Sequence, residues 1–181
     1  MGVLLIVSQI YLPPFIKKSR LTELFRATAD AFQCQVPRLN GYALDQCLTK
    51  YALFTAENAE RTIRQSNEGE VKEHLYLNAR QIGQNIREKL KLQTLEEIMQ
   101  ACEVIYKALK IEFHGDLQGQ IQIRNCFFST FYSSNVCRII SSLDEGLVAG
   151  LSGGCGLEFS QRITEGNKCC LAHLLAAGSS L

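Results

Sequence analysis

Residues Lys110–Asn125 read KIEFHGDLQGQIQIRN, and here the spacing of the apolar side chains changes. Ile111 and Phe113 stand two apart, as do Ile121 and Ile123, with Gly115, Asp116 and Gly119 between the pairs. A period of two puts alternate side chains on one face of a strand, and a Gly/Asp-rich gap between two such runs predicts a β-hairpin. His114 falls at the loop end of that hairpin.

Upstream of Lys110 the period is helical. Leu21, Leu24, Phe25, Thr28 and Phe32 form one stripe, set off from the apolar start of the chain by Pro13 and Pro14. Leu44, Leu48, Tyr51, Thr55, Ala59 and Ile63 form a second, and Val71, Leu75, Ala79, Ile82, Ile86 and Leu90 a third. A fourth helix opens at Thr94, where TLEE (94–97) predicts a capping box: the Thr94 hydroxyl and the Glu97 carboxylate each satisfy the other residue's backbone amide. Its apolar stripe is Leu95, Ile98, Met99, Cys102, Ile105 and Leu109.

Downstream, Val136, Ile139, Ile140, Leu143, Leu147 and Leu151 return to helical spacing, with Ser134 or Asn135 as the expected N-cap and SGGCG (152–156) as the stop. LEFSQRI (157–163) alternates, with Leu157, Phe159 and Ile163 on one face. TEGN (164–167) turns, and KCCLAHLL (168–175) is the expected partner strand. The fold class that follows is α+β: N-terminal helices packed with an antiparallel sheet made of two β-hairpins joined by a helix. We expect a single domain over 1–181, mainly helical over 1–109, with the hairpin–helix–hairpin part over 110–175.

A formal net charge of +1, with 46% hydrophobic and 20% charged residues, fits a chain with a sizeable core and gives no electrostatic footprint for nucleic acid. MGVLLIVSQIYL (1–12) is apolar but too short to span a bilayer, and it lacks the flanks of a secretory signal. The expectation is a buried strand or strap there, a cytoplasmic protein, and eight cysteines that are mostly thiols.

Those cysteines carry the candidate chemistry. They show no paired Cys-x-x-Cys knuckle, so no metal is assigned, although Cys169 and His173 stand on one strand face. Cys170 would share the opposite face with Ala172 and Leu174. Cys137 falls in the first turn of a helix, where the positive dipole end favours a thiolate, which makes it the best nucleophile on local physics. Asp144 and Glu145 are the nearby carboxylates.

DEGLVAGLSGGCGLEFSQRITEGNKCCLAHL (144–174) resembles the C-terminal part of the 4-vinyl reductase domain: Gly146 and Gly150 match its helical Gly-x-x-x-Gly, and Gly166, Asn167 and Cys170 its Gly-Asp-x-x-Cys turn, with Asn for Asp. The same region is similar to the end of the L-2-amino-thiazoline-4-carboxylic acid hydrolase-like family, through Cys137, Asp144, Gly166 and Cys170. The resemblance spans about residues 120–175. It implies a compact α+β fold that often dimerises and holds a small-molecule pocket between helices and sheet. Some relatives resemble zinc binders through acidic and Cys positions on the strand before the turn. Here those positions are Phe159 and Arg162, so of that set only Cys170 remains.

Three functions are therefore expected. The first is a binding module for a hydrophobic or tetrapyrrole-like ligand, with Cys126, Tyr132, Cys137 and Cys170 around it. The second is a cysteine-dependent hydrolase of a small cyclic amide or thiazoline, using Cys137, Asp144 and Cys170. The third is a homodimeric interaction subunit whose surface matters more than any pocket.

Overall fold

The structure is a computed structural model and describes residues 14–176. The chain runs through α1 (Pro14–Ala31), α2 (Leu44–Gln65), α3 (Glu68–Leu90), α4 (Leu95–Ala108), β1 (Ile111–Gly115), β2 (Gln120–Cys126), α5 (Ser134–Ser152), β3 (Gly156–Gln161) and β4 (Cys170–Leu175). The expected α+β layout is what the chain adopts. The apolar start and the last five residues lie outside the described residues, and with them the expectation of an N-terminal strand or strap.

The strands form one antiparallel sheet in the order β1-β2-β4-β3. The second hairpin therefore joins the first through β4, which pairs with β2 from Gln120↔His173 to Ile123↔Cys170. Strand alternation gives the sheet two unlike faces. Ile111, Phe113, Ile121, Ile123, Cys170 and Ala172 are buried in the core, whereas Glu112, His114, Arg124, Glu158 and His173 are exposed. The helices cover the first face, with α1, α2 and α4 contributing Phe25, Leu48, Tyr51, Ile98 and Tyr106 to the same core.

Local signals account for most boundaries. Thr94 and Glu97 form the capping box: the Glu97 amide donates to Thr94 Oγ1 at 3.3 Å, and the Thr94 amide donates to Glu97 Oε2 at 3.2 Å. In the first hairpin Asp116 Oδ1 accepts from the amides of Gln118 and Gln120, both at 2.9 Å, so one carboxylate ties the turn. Three details differ from the sequence reading. The N-cap of α5 is Ser133, whose hydroxyl accepts from the Val136 amide at 3.3 Å; Ser134 is turned to donate to the Thr164 carbonyl instead. β4 begins at Cys170, leaving Cys169 just before it. Ile163 belongs to a short 3-10 turn, Ile163–Glu165, rather than to β3.

The two halves of the sequence meet along α3 and α5. A Cβ built on Gly146 would sit 2.1 Å from the Tyr76 carbonyl oxygen, one on Gly150 2.2 Å from that of Arg80, and one on Gly83 2.4 Å from that of Leu147. Tyr76, Arg80 and Gly83 climb α3 as Gly146, Leu147 and Gly150 climb α5, so the two helices run in the same direction with their backbones in contact. Only residues without a Cβ permit that approach. The Gly-x-x-x-Gly pattern is thus spent inside the chain, against α3.

Candidate functional site

A cavity of about 1120 Å³ lies between the inner face of the sheet and the helices. Its wall is mostly aliphatic and aromatic: Leu48 and Tyr51 from α2, Ile82 and Ile86 from α3, Ile105 from α4 and Leu109 just after it, Ile140 and Leu147 from α5, and Ile111, Ile123, Phe128 and Phe159 from the sheet and its turns. Ser19, Arg20 and Lys89 also line it and are exposed, so the cavity reaches solvent beside α1 and the end of α3.

The structure brings the residues singled out from sequence to this one wall: Cys126 at the end of β2, Tyr132 in the connection to α5, Cys137 and Asp144 on α5, and Cys170 at the start of β4. Cys137 and Asp144 are seven apart, two helical turns, and so face the same way. Cys170 is buried beside Ala172 on the inner face of the sheet. Cys169 points elsewhere, toward the amide nitrogens of Gln161 and Gln122, which approach its sulfur at 3.5 and 3.6 Å. His173 is exposed on the outer face. Among the described residues no three His, Cys, Asp or Glu side chains gather as a metal site.

Two residues that the sequence reading left out of the site complete its polar end. The Tyr106 hydroxyl donates to Asp144 Oδ1 at 2.7 Å. Arg162 donates from Nη2 to Ser141 Oγ at 3.0 Å and lays its guanidinium over the Phe159 ring, 4.4 Å from the centroid. Its Nε is buried and has no acceptor. Among the described residues Arg162 makes no ion pair within 4.0 Å, although its charge is close enough to act on Asp144, Cys137 and Cys170.

The turn after β3 fixes that arginine. Asn167 Nδ2 donates to the Arg162 carbonyl at 3.0 Å, and the Ile163 amide donates to Cys170 Sγ at 3.4 Å. Gly166 closes the turn at φ +89°, in the left-handed region that favours glycine. The Gly166–Asn167–Cys170 pattern therefore does a local job: it holds the backbone on either side of the Arg162–Ile163 peptide.

Burial sets the protonation of this wall. Asp144 retains some accessible surface, but that surface faces the cavity. Its surroundings push its pKa up to about 6, against the lowering effects of the Tyr106 hydroxyl and the Arg162 charge. Burial drives the Cys126 thiol up to about 12. It also raises Cys137 and Cys170. At Cys137 this corrects the expectation of a thiolate favoured by the helix start. The cysteine amide already donates to the Ser133 carbonyl at 2.9 Å, and loss of water around the sulfur is the largest influence on the thiol. The Thr164 hydroxyl has no nitrogen or oxygen partner, and its weak contact to the Cys137 thiol is a smaller, opposing effect.

No model of a known protein family and no curated protein matches this chain. The chemistry of the cavity wall therefore carries the functional argument.

Proposed function

We propose that this chain is a small-molecule binding module that takes an apolar, hydrophobic or tetrapyrrole-like ligand into the cavity between sheet and helices. The observation that carries this reading is the cavity itself. At about 1120 Å³ it is slightly larger than the usual ligand site, and it combines an apolar wall with a few convergent polar groups. The resemblance of residues 120–175 to the 4-vinyl reductase domain supports the same reading, and a homodimer is the assembly that this resemblance implies. A cytoplasmic setting is the fitting one for eight free cysteines. Among the described residues no helix is long and apolar enough to cross a membrane.

The cysteine-hydrolase reading fares less well. Cys137, Asp144 and Cys170 do share one wall, but burial raises both thiols, and the only imidazole on β4, that of His173, is on the far face of the sheet. A nucleophilic thiol needs a partner or a field that lowers its pKa.

Thermal unfolding with a panel of neutral apolar molecules and porphyrins tests the module. A binding ligand raises Tm as its concentration passes Kd, and Ile123→Trp, which pushes a larger side chain from β2 into the cavity, should reduce the shift. If no member of the panel moves Tm, or if every shift is unchanged in the Ile123→Trp variant, the reading is wrong. Light scattering on the same samples reports whether the chain is a dimer.

A further inference from the structure

Arg162 is held by its surroundings yet incompletely used. Ser141 takes one Nη2 proton and the Phe159 ring supports the guanidinium plane, so the side chain is fixed in place. Its Nε is buried and closed to the cavity. Among the described residues the guanidinium makes no other hydrogen bond, and Arg162 lines the cavity, so its remaining N–H groups are left without protein acceptors there. Asp144 presents the converse case. Its Oδ1 accepts from Tyr106, whereas among the described residues no hydrogen bond is made to Oδ2. The two groups face the same cavity and feel each other's charge, but they are more than 4.0 Å apart and form no ion pair. Glu145, the next residue on α5, is answered by the charge of Lys72 as well as Arg162.

From this arrangement we infer that the polar end of the cavity reads a head group that is neutral and is donor and acceptor at once, a carboxamide or lactam, with Asp144 accepting its N–H and the Arg162 guanidinium donating to its C=O. The inference rests on the reading of the chain as a module for apolar ligands, and it names the head such a ligand carries. The reason is charge balance. The carboxylate and the guanidinium compensate each other across the gap. A carboxylate-headed ligand would place a second negative charge beside Asp144, and an ammonium a second positive charge beside Arg162. In an apolar cavity, away from bulk water, either surplus is costly. An amide adds no charge, and it gives Asp144 a donor and the Arg162 guanidinium an acceptor.

The test uses decanamide, decanoate and decylamine, which share a chain and differ in the head. Each is titrated against the neutral fluorophore N-phenyl-1-naphthylamine bound to the full chain. The expected result is that the amide competes about ten-fold more strongly than either ion. Asp144→Asn should shift the preference toward decanoate, and Arg162→Gln toward decylamine. A merely structural role for either side chain would weaken all three probes together. If an ionic head outcompetes the amide in the unsubstituted chain, the inference is overturned whether or not the variants fold. The same holds if folded variants keep the original ranking. In both cases the module reading stands, because the chains still displace the fluorophore. If none of the three displaces it and the fluorophore itself does not bind, the module reading falls as well.

Discussion

Gly83 of α3 and Gly150 of α5 face each other with nothing between them: a methyl group on Gly150 would lie 2.8 Å from the Gly83 Cα, and one on Gly83 would lie 2.9 Å from the Gly150 Cα. Both distances are to backbone, which cannot rotate away. Gly150→Ala should therefore push the helices apart and cost about 3 kcal/mol or more. Gly69, in the first turn of α3, has nothing within 4 Å of the same added atom, so Gly69→Ala should stabilise by about 0.5–1 kcal/mol. Urea denaturation of the two variants measures this directly, and equal effects would mean that the helix contact is not as close as described.

Asp144 should make stability depend on pH in a direction opposite to that of most carboxylates. Its folded pKa, about 6, is above its ordinary value of 3.8, so the folded state holds the proton more tightly than the unfolded one. Stability contributed by this group is full below about pH 4 and is lost as pH rises through 6. Because part of the carboxyl faces the cavity, we expect a loss of about 1–2 kcal/mol rather than the full value. Asp144→Asn removes the titration, so the variant should gain on the parent chain between pH 4.5 and 7.5. A stability difference that stays constant over that range would show that Asp144 is not the titrating group.

The buried thiols predict slow chemistry. With Cys126 raised to about 12, native protein at pH 8 should alkylate there roughly a thousandfold more slowly than the denatured chain. Cys137 and Cys170 should also be retarded. Peptide mapping after timed iodoacetamide treatment reads each site separately. Rapid native labelling of Cys137 would revive the hydrolase reading.

Lys91 ends α3 at φ +53°, in the left-handed region. Glycine adopts that conformation without the Cβ clash, so Lys91→Gly should raise stability by about 1 kcal/mol. Thermal unfolding checks it, and a loss would mean that the lysine side chain contributes more at this corner than its backbone costs.

Most of the fold was legible because its signals are local. The change of period at Lys110, the Thr94–Glu97 box and the glycine stop after Ser152 each act within a few residues, and all appear where the sequence puts them. The N-cap of α5 was missed by one residue because three polar side chains, Ser133, Ser134 and Asn135, stand in a row, and geometry alone selects Ser133. The strand order was not readable, since β4 reaches β2 across some 50 residues and no pattern in either strand names the other. The site divides in the same way. Cys126, Tyr132, Cys137, Asp144 and Cys170 could be picked out by residue type and resemblance. Tyr106 lies one turn beyond Cys102 on an ordinary core stripe, and Arg162 stands at a strand end where an arginine normally faces water. Only the tertiary arrangement turns both toward Asp144.

The parallel contact of α3 with α5 also sets a timetable. About 70 residues of chain separate Gly83 from Gly150, so at 5–20 residues per second the ribosome needs roughly 4–14 s to make the second helix after the first. Throughout that interval the bare backbone groove of α3 has no partner. A nascent chain halted before Gly146 should hold its first three helices loosely and be readily cut by protease, and the same segment should become resistant once Ser152 has cleared the exit tunnel.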